Sequence, residues 1–274
     1  MSPGALYADM AFRRFLRGRV SWDRLEAVFR EFATRYEEDA LRVTFLDADN
    51  WLSVPCVVND RWFVKVVSEQ NSLVHALFTT GRNLGAVSAG TEGFFEHFGT
   101  PAEMAAHELD ATRKMRELGI NAPDPVESFE VDGMGVLVLE YLPSFRTLED
   151  LHPEEASALA PALFGALDTL HAAGLAHGDL RAENVLIRED ELYFIDATSV
   201  REDGIDGASA YDVACALATL EPIVGAKAAV RAAGTSYDAA TLLYAEDFLD
   251  FVNLRPDHDF DAAAVKGEIE KAAT

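Results

Sequence analysis

The chain is 274 residues long and carries 47 Asp and Glu against 23 Lys and Arg, a net charge of −24. That length suits one bilobal domain or two ordinary ones, no apolar run approaches the ~20 residues of a membrane span, and Cys56 and Cys215 sit in contexts too apolar for a disulfide framework or a metal site. The acidity is spread over the whole sequence and lysines number only five, a composition that argues against general nucleic-acid binding, DNA included, and fits a haloarchaeal cytoplasm, where dense carboxylates keep a surface hydrated and molar salt cuts the Debye length to ~3 Å.

Residues 5–38 read as two helices, and 1–40 as an N-terminal helical extension. The first helix holds the only basic cluster, Arg13, Arg14, Arg17 and Arg19. It serves either to dock RNA or a partner, or to brace the neighbouring strand region through pairs with local acids. The second starts at Ser21 as N-cap and sets Trp22, Leu25, Val28, Phe29, Phe32 and Tyr36 on one face.

The next region runs from 41 to 139. Between its first two strands lies Leu46-Asp-Ala-Asp-Asn-Trp-Leu-Ser53, which contains no glycine; Asn50 and Ser53 are its side-chain donors. Lys65 then stands in the β-branched and aromatic run Arg61–Val67. An ammonium in an apolar strand is costly unless paired. The partner is expected on the helix from Pro101 to Leu118, which Gly119 ends. There Ala105, Leu109, Thr112 and Met115 recur at helical spacing, and Glu108 beside them is the expected acid, with Glu103 its competitor. Residues 68–100 form an insertion rich in glycine, with Thr79–Asn83 and Ser88–Gly93 as mobile stretches: a cover for phosphates, a platform for a substrate or partner, or a flap with no ligand role. A hairpin turning at Asp132-Gly133 and ending at Glu140-Tyr141-Leu142-Pro143 closes the region.

Residues 140–274 form the larger part. A short helix at Leu148–Leu151 and a longer one at Glu154–Ala173, ended by Gly174, lead to the most informative segment of the chain. This is Leu175-Ala-His-Gly-Asp-Leu-Arg-Ala-Glu-Asn-Val-Leu-Ile187, then a turn, then Leu192-Tyr-Phe-Ile-Asp196. It reads as a loop, a strand, a turn, a strand and an acid. The pattern places Asp179, Asn184 and Asp196 at the ends of one small hairpin. Phosphoryl transfer calls for this set: a carboxylate to take the proton of the attacking hydroxyl, and an amide and a second carboxylate to hold the metal ions that bridge the phosphates. Downstream, Tyr211–Leu217 is an apolar helix with one acid, Asp212, which either receives hydrogen bonds from the loop or simply sits at a helix N-terminus.

On H-x-D-x-x-x-x-N at 177–184, on Asp196 one hairpin later and on Lys65 upstream, the chain resembles the protein-kinase-like superfamily over about residues 41–255. The resemblance implies an α+β bilobal protein-kinase-like fold, with a small antiparallel-sheet N-lobe plus helix and a larger, mostly helical C-lobe. His-Gly-Asp-Leu and Tyr-Phe-Ile-Asp resemble the small kinase of the KEOPS tRNA-modification complex, and Ile-Asp-Ala-Thr-Ser-Val resembles the RIO kinases. His-Gly-Asp also occurs in aminoglycoside phosphotransferases. By this resemblance Asp179 is the catalytic base and Arg181 stands near the γ-phosphate. Asn184 and Asp196 hold Mg²⁺ or Mn²⁺. Lys65, clamped by Glu108, holds the α/β-phosphates of ATP, and the hinge at Glu140 and Leu142 receives the adenine.

The departures from the family carry information too. Gly178 replaces the Arg that answers a phosphorylated activation loop, Asp196 is followed by Ala-Thr rather than Phe-Gly, and no Ala-Pro-Glu precedes the Asp212 helix. The resemblance therefore implies an atypical, RIO-like serine/threonine-type kinase, constitutively assembled and unsuited to long extended peptides. A nucleotide-binding scaffold or slow ATPase in ribosome or tRNA-modification assembly, and a small-molecule kinase, are its alternatives.

Overall fold

The computed structural model describes residues 20–46, 53–69, 99–197, 204–255 and 258–274. The arginine cluster at 13–19, Asn50, and the insertion from 70 to 98 with its Gly81–Gly93 stretch lie outside them. The chain divides into two units. Of the described residues the smaller takes in 20–46, 53–69, 99–110 and 124–143; the larger takes in 111–123, 144–197, 204–255 and 258–274.

The smaller unit is built on a five-stranded antiparallel sheet of order β1-β2-β3-β5-β4. Its strands are β1 (Val43–Phe45), β2 (Val54–Val58), β3 (Trp62–Val67), β4 (Pro125–Val131) and β5 (Met134–Glu140). Two of its turns require left-handed backbone. Asn59 and Asp60 supply it between β2 and β3, and Asp132 with Gly133 between β4 and β5. The central strands β3 and β5 are buried on both faces, which is why they read as unbroken apolar runs.

Strand alternation sorts those runs. Trp62, Val64 and Val66 of β3 join Met134, Val136 and Val138 of β5 on one face, packed with Leu25, Val28 and Phe32 of helix α1 (Trp22–Arg35). Phe63, Leu137 and Leu139 occupy the opposite face, against Ala105 and Leu109 of helix α2 (Pro101–Glu117). The expected apolar face of α1 is thus narrower than its sequence suggests, since Trp22 stays 66% exposed and stacks at a tilt on Phe45.

Helix α2 begins with a capping box. Glu103 accepts from the Gly99 and Thr100 backbone N–H groups, and Thr100 Oγ1 accepts from the Glu103 N–H. Its first turn lies directly on β5: a Cβ on Gly135 would fall 1.9 Å from the Pro101 carbonyl oxygen. Glycine at 135 is what lets helix and strand approach this closely.

The larger unit gathers α3 (Pro153–Ala172), α4 (Ile205–Val224), α5 (Ala226–Ala233), α6 (Ala239–Asn253) and α7 (Ala262–Ala272) around one apolar core. Helix α4 is apolar on all sides and correspondingly buried from Gly207 to Leu220 apart from Ser209. It starts at Ile205, six residues before Tyr211, so Asp212 lies in the helix interior and not at its N-terminus. A three-stranded sheet, β6 (Arg146–Thr147), β7 (Val185–Arg188) and β8 (Glu191–Phe194), completes the unit. Both cysteines are free and buried, and burial pushes each thiol up to about 12. Among the described residues no helix is long and apolar enough to cross a membrane.

Candidate phosphoryl-transfer site

In the smaller unit, Lys65 sits opposite Leu137 in the sheet register, on the face that α2 covers. Strand alternation therefore points its side chain at the helix. Glu108 lies one residue before Leu109, on the same side of α2, and receives Lys65 Nζ on both oxygens, at 3.0 and 2.9 Å. The side chains are only 10% and 15% exposed. Glu103, the competing acid, is committed to the helix cap. The two hinge residues behave as a strand end: the Glu140 N–H donates to Asp124 O at 2.8 Å, the Glu140 carboxylate accepts from Asp124 N–H, and Leu142 is buried. Ser53 is 5% exposed, and its hydroxyl has no hydrogen-bond partner among the described residues.

In the larger unit, α3 ends at Ala172 and Gly174 turns the chain with a φ of +74°. The loop after it is pinned from below by Asp212. Its Oδ2 accepts from the His177 N–H at 2.6 Å and its Oδ1 from the Gly178 N–H at 2.8 Å, while His171 Nε2 stands 3.1 Å from Oδ2. Asp212 is wholly buried. The reading in which Asp212 receives the loop backbone is the one the structure supports. Gly178 takes a φ of +78°, which a side chain there would resist. Behind His171, Tyr237 Oη lies 2.9 Å from its Nδ1.

A 3₁₀ turn at Ala182–Asn184 then carries the chain into β7. Asn184 Nδ2 donates to the Asp179 carbonyl at 2.8 Å, and the Asn184 carbonyl accepts from Ile195 N–H at 3.1 Å. The hairpin between β7 and β8 turns on Glu189 and Asp190, both left-handed, and delivers Asp196 next to that Ile195 link, itself left-handed at φ 59°. Asp179, Asn184 and Asp196 are thereby brought onto one loop and hairpin. With its nitrogen committed, the Asn184 amide has its oxygen left to face a cation, and Asp196 adds a carboxylate. Hard oxygen donors of this kind suit Mg²⁺, which keeps waters and phosphate oxygens as its remaining ligands. Among the described residues no group of three or more His, Cys, Asp or Glu forms a metal cage.

Arg181 pairs with Asp179 Oδ2 at 3.2 Å and with Glu183. Burial raises the Glu183 carboxyl above the usual range, with Arg181 opposing. The other Asp179 oxygen belongs to a residue the sequence did not flag. Arg255, just past α6, donates from Nη2 to Asp179 Oδ1 at 2.9 Å. No motif marks Arg255; its contact spans 76 positions and is visible only in three dimensions.

His177 is fully buried, and burial pushes its imidazole down, against the opposing charges of Asp212, Asp179 and Asp196. A depressed folded value means the unfolded chain takes the proton first, near its ordinary ~6.5. The contribution of this group to stability is complete above that pH and declines as pH falls below it, by at most about 1.4 kcal/mol per pH unit. The drop in melting temperature from pH 7.5 to 5.5 is expected to be smaller in His177→Gln than in the unmodified chain. An equal drop in both would contradict this.

Comparison with known proteins agrees with this geometry. A RIO domain family model matches residues 99–206. The KEOPS complex subunit Bud32 of Pyrococcus abyssi is 36% identical over 98 residues, which is 34% of this chain and 43% of that protein, so the match spans less than half the length of the relative. Among solved structures, an aminoglycoside-3'-phosphotransferase of type VIII superimposes with a TM-score of 0.51 at 18% identity, covering 84% of this chain and 99% of that one. The GDP complex of aminoglycoside 2'-phosphotransferase-IIIa gives 0.51 at 12% identity, covering 91% and 98%. The last two show the fold: an antiparallel-sheet N-lobe and a helical C-lobe of kinase type. The RIO-domain match and the Bud32 likeness are similarities over part of the chain, and they fall on the segment that carries the loop at 177–184 and Asp196.

Proposed function

We propose that the chain is an ATP-dependent phosphotransferase of the atypical, RIO-like type that acts on an alcohol group. The observation that carries this reading is the Lys65–Glu108 pair. A buried ion pair is a weak source of stability, because the cost of desolvating two charges rivals their attraction. The fold would be served as well by two apolar residues at these positions, so the pair is better explained by a ligand that needs a fixed ammonium. In this reading Lys65 holds the α/β-phosphates, Glu108 holds Lys65, and Glu140 and Leu142 offer backbone groups to the adenine.

Asp179 accepts the proton of the acceptor hydroxyl as its oxygen bonds to the γ-phosphorus and the bond from that phosphorus to the β,γ-bridging oxygen breaks, leaving ADP. Arg181 contributes positive charge beside the transferred group. Asn184 and Asp196 hold Mg²⁺ or Mn²⁺, which when bound supplies charge neutralisation on the phosphates. The short stretch between Asp196 and α4 fits an enzyme that needs no activation-loop phosphorylation.

The test is ADP release from Mg-ATP in high-KCl buffer, the medium that the acidic composition and the proposed haloarchaeal cytoplasm call for. Asp196→Asn and chelation of the metal are each expected to lower turnover about a hundredfold or more. Full turnover in Asp196→Asn would sink the metal assignment.

The likeness to a KEOPS subunit favours one second reading, a slow ATPase that works within a tRNA-modification or ribosome-assembly complex. Co-purification from the native host with a tRNA-linked or ribosomal partner, together with single-turnover hydrolysis, would select it. A freely soluble phosphorylated product would select a small-molecule acceptor.

A further inference from the structure

We propose that Arg255 is a positioning residue for Asp179, so that the segment just past α6 is needed for the chemistry as well as for the fold. The proposal rests on the phosphotransfer reading above.

Two adjacent residues of α4 bear on the loop that carries Asp179, Asp212 directly and Tyr211 through Arg255. Asp212 takes the backbone N–H groups of His177 and Gly178. Tyr211, 1% exposed, receives Arg255 Nη1 on its hydroxyl, and the other arm of the same guanidinium donates to Asp179 Oδ1 at 2.9 Å. Arg255 Nη1 also lies 4.0 Å from Cys215 Sγ, one helical turn further along α4. A guanidinium is planar and its donors are fixed in a fork, so anchoring one arm in the core sets the direction of the other. Arg255 and Asp179 are 14% and 13% exposed, which keeps water from competing for the contact.

Arg181 approaches the second oxygen of Asp179, but it comes from the same loop and is shared with Glu183. It moves when the loop moves. Arg255 is the arm that refers the carboxylate to α4, and a proton acceptor misplaced by about 1 Å can cost a hundredfold in rate.

A purely structural role would tie the end of α6 to the core and affect stability alone. The two roles separate in the kinetic constants. ADP release from Mg-ATP is measured at a temperature where circular dichroism shows every variant folded. Arg255→Ala is expected to lower kcat at least tenfold with the KM for ATP within twofold of the unmodified chain. Arg255→Lys, which keeps the charge without the fork, should fall between the two. Tyr211→Phe, which keeps the packing and removes only the anchor, should lower kcat several-fold, and it carries the test if Arg255→Ala does not fold. Full kcat in both Arg255→Ala and Tyr211→Phe, with Asp179→Asn inactive, overturns the positioning role and leaves the phosphotransfer reading standing. No turnover in the unmodified chain overturns both.

Discussion

Replacing Asp212 with alanine is expected to destabilise the larger unit by about 3–5 kcal/mol, enough to unfold it or to leave the Asp179 loop disordered. The side chain is wholly buried and accepts hydrogen bonds from two backbone N–H groups, at 2.6 and 2.8 Å, with His171 beside it. Alanine removes the acceptor and leaves both donors without it in the core, which costs far more than a surface hydrogen bond. The Tyr211 hydroxyl beside it on α4 already receives Arg255. A total stability of about 5–15 kcal/mol cannot absorb such a loss without consequence. Asparagine keeps one acceptor and should cost less. Chemical denaturation of the three forms checks the order, unmodified above Asp212→Asn above Asp212→Ala. Equal midpoints would mean that the loop is held by something else.

Much of this architecture is legible from the residues because each signal has a local cause. The runs Trp62–Val67 and Met134–Glu140 announce central strands by composition, and Asp132-Gly133 announces the turn by its need for left-handed backbone. Lys65 is conspicuous because an ammonium in an apolar strand demands a partner, and Glu108 follows from helical spacing beside Leu109. The loop at 177–184 is legible because its spacing is set by backbone geometry: five residues from Asp179 allow a 3₁₀ turn to bring the Asn184 amide back onto the Asp179 carbonyl.

What escapes the sequence is long-range or context-dependent. The start of α4 at Ile205 lies ahead of the apolar run that signals the helix, since Gly204-Ile-Asp-Gly carries no cap motif and the helix gains its stability from burial rather than from local preference. Trp22 looks like a core residue by its place on the α1 face and lies 66% exposed, at the first turn of the helix against Phe45 of the edge strand β1. Gly135 gives no sign in the sequence of its contact with Pro101, which depends on where α2 begins. Arg255, in Asn253-Leu-Arg-Pro, looks like any surface arginine until α6 is folded.

Asp179 is where the largest loss of activity is expected. In the proposed reading it is the proton acceptor for the incoming hydroxyl, a role worth about 10²–10⁴ in rate. Asparagine matches its shape, and its single oxygen can still accept from one of Arg255 and Arg181, but it cannot take the proton. The Asn184 amide bonds the Asp179 backbone carbonyl, which the substitution leaves in place, so in the proposed reading nucleotide and metal binding should survive the change. The most direct measurement is therefore single-turnover loss of the γ-phosphoryl group from Mg-ATP, with the unmodified chain and Asp179→Asn both saturated with nucleotide and their occupancies measured separately. The result expected is equal occupancy and a rate at least a hundredfold lower in Asp179→Asn; equal rates at equal occupancy would contradict the assignment of this loop as the centre of phosphoryl transfer.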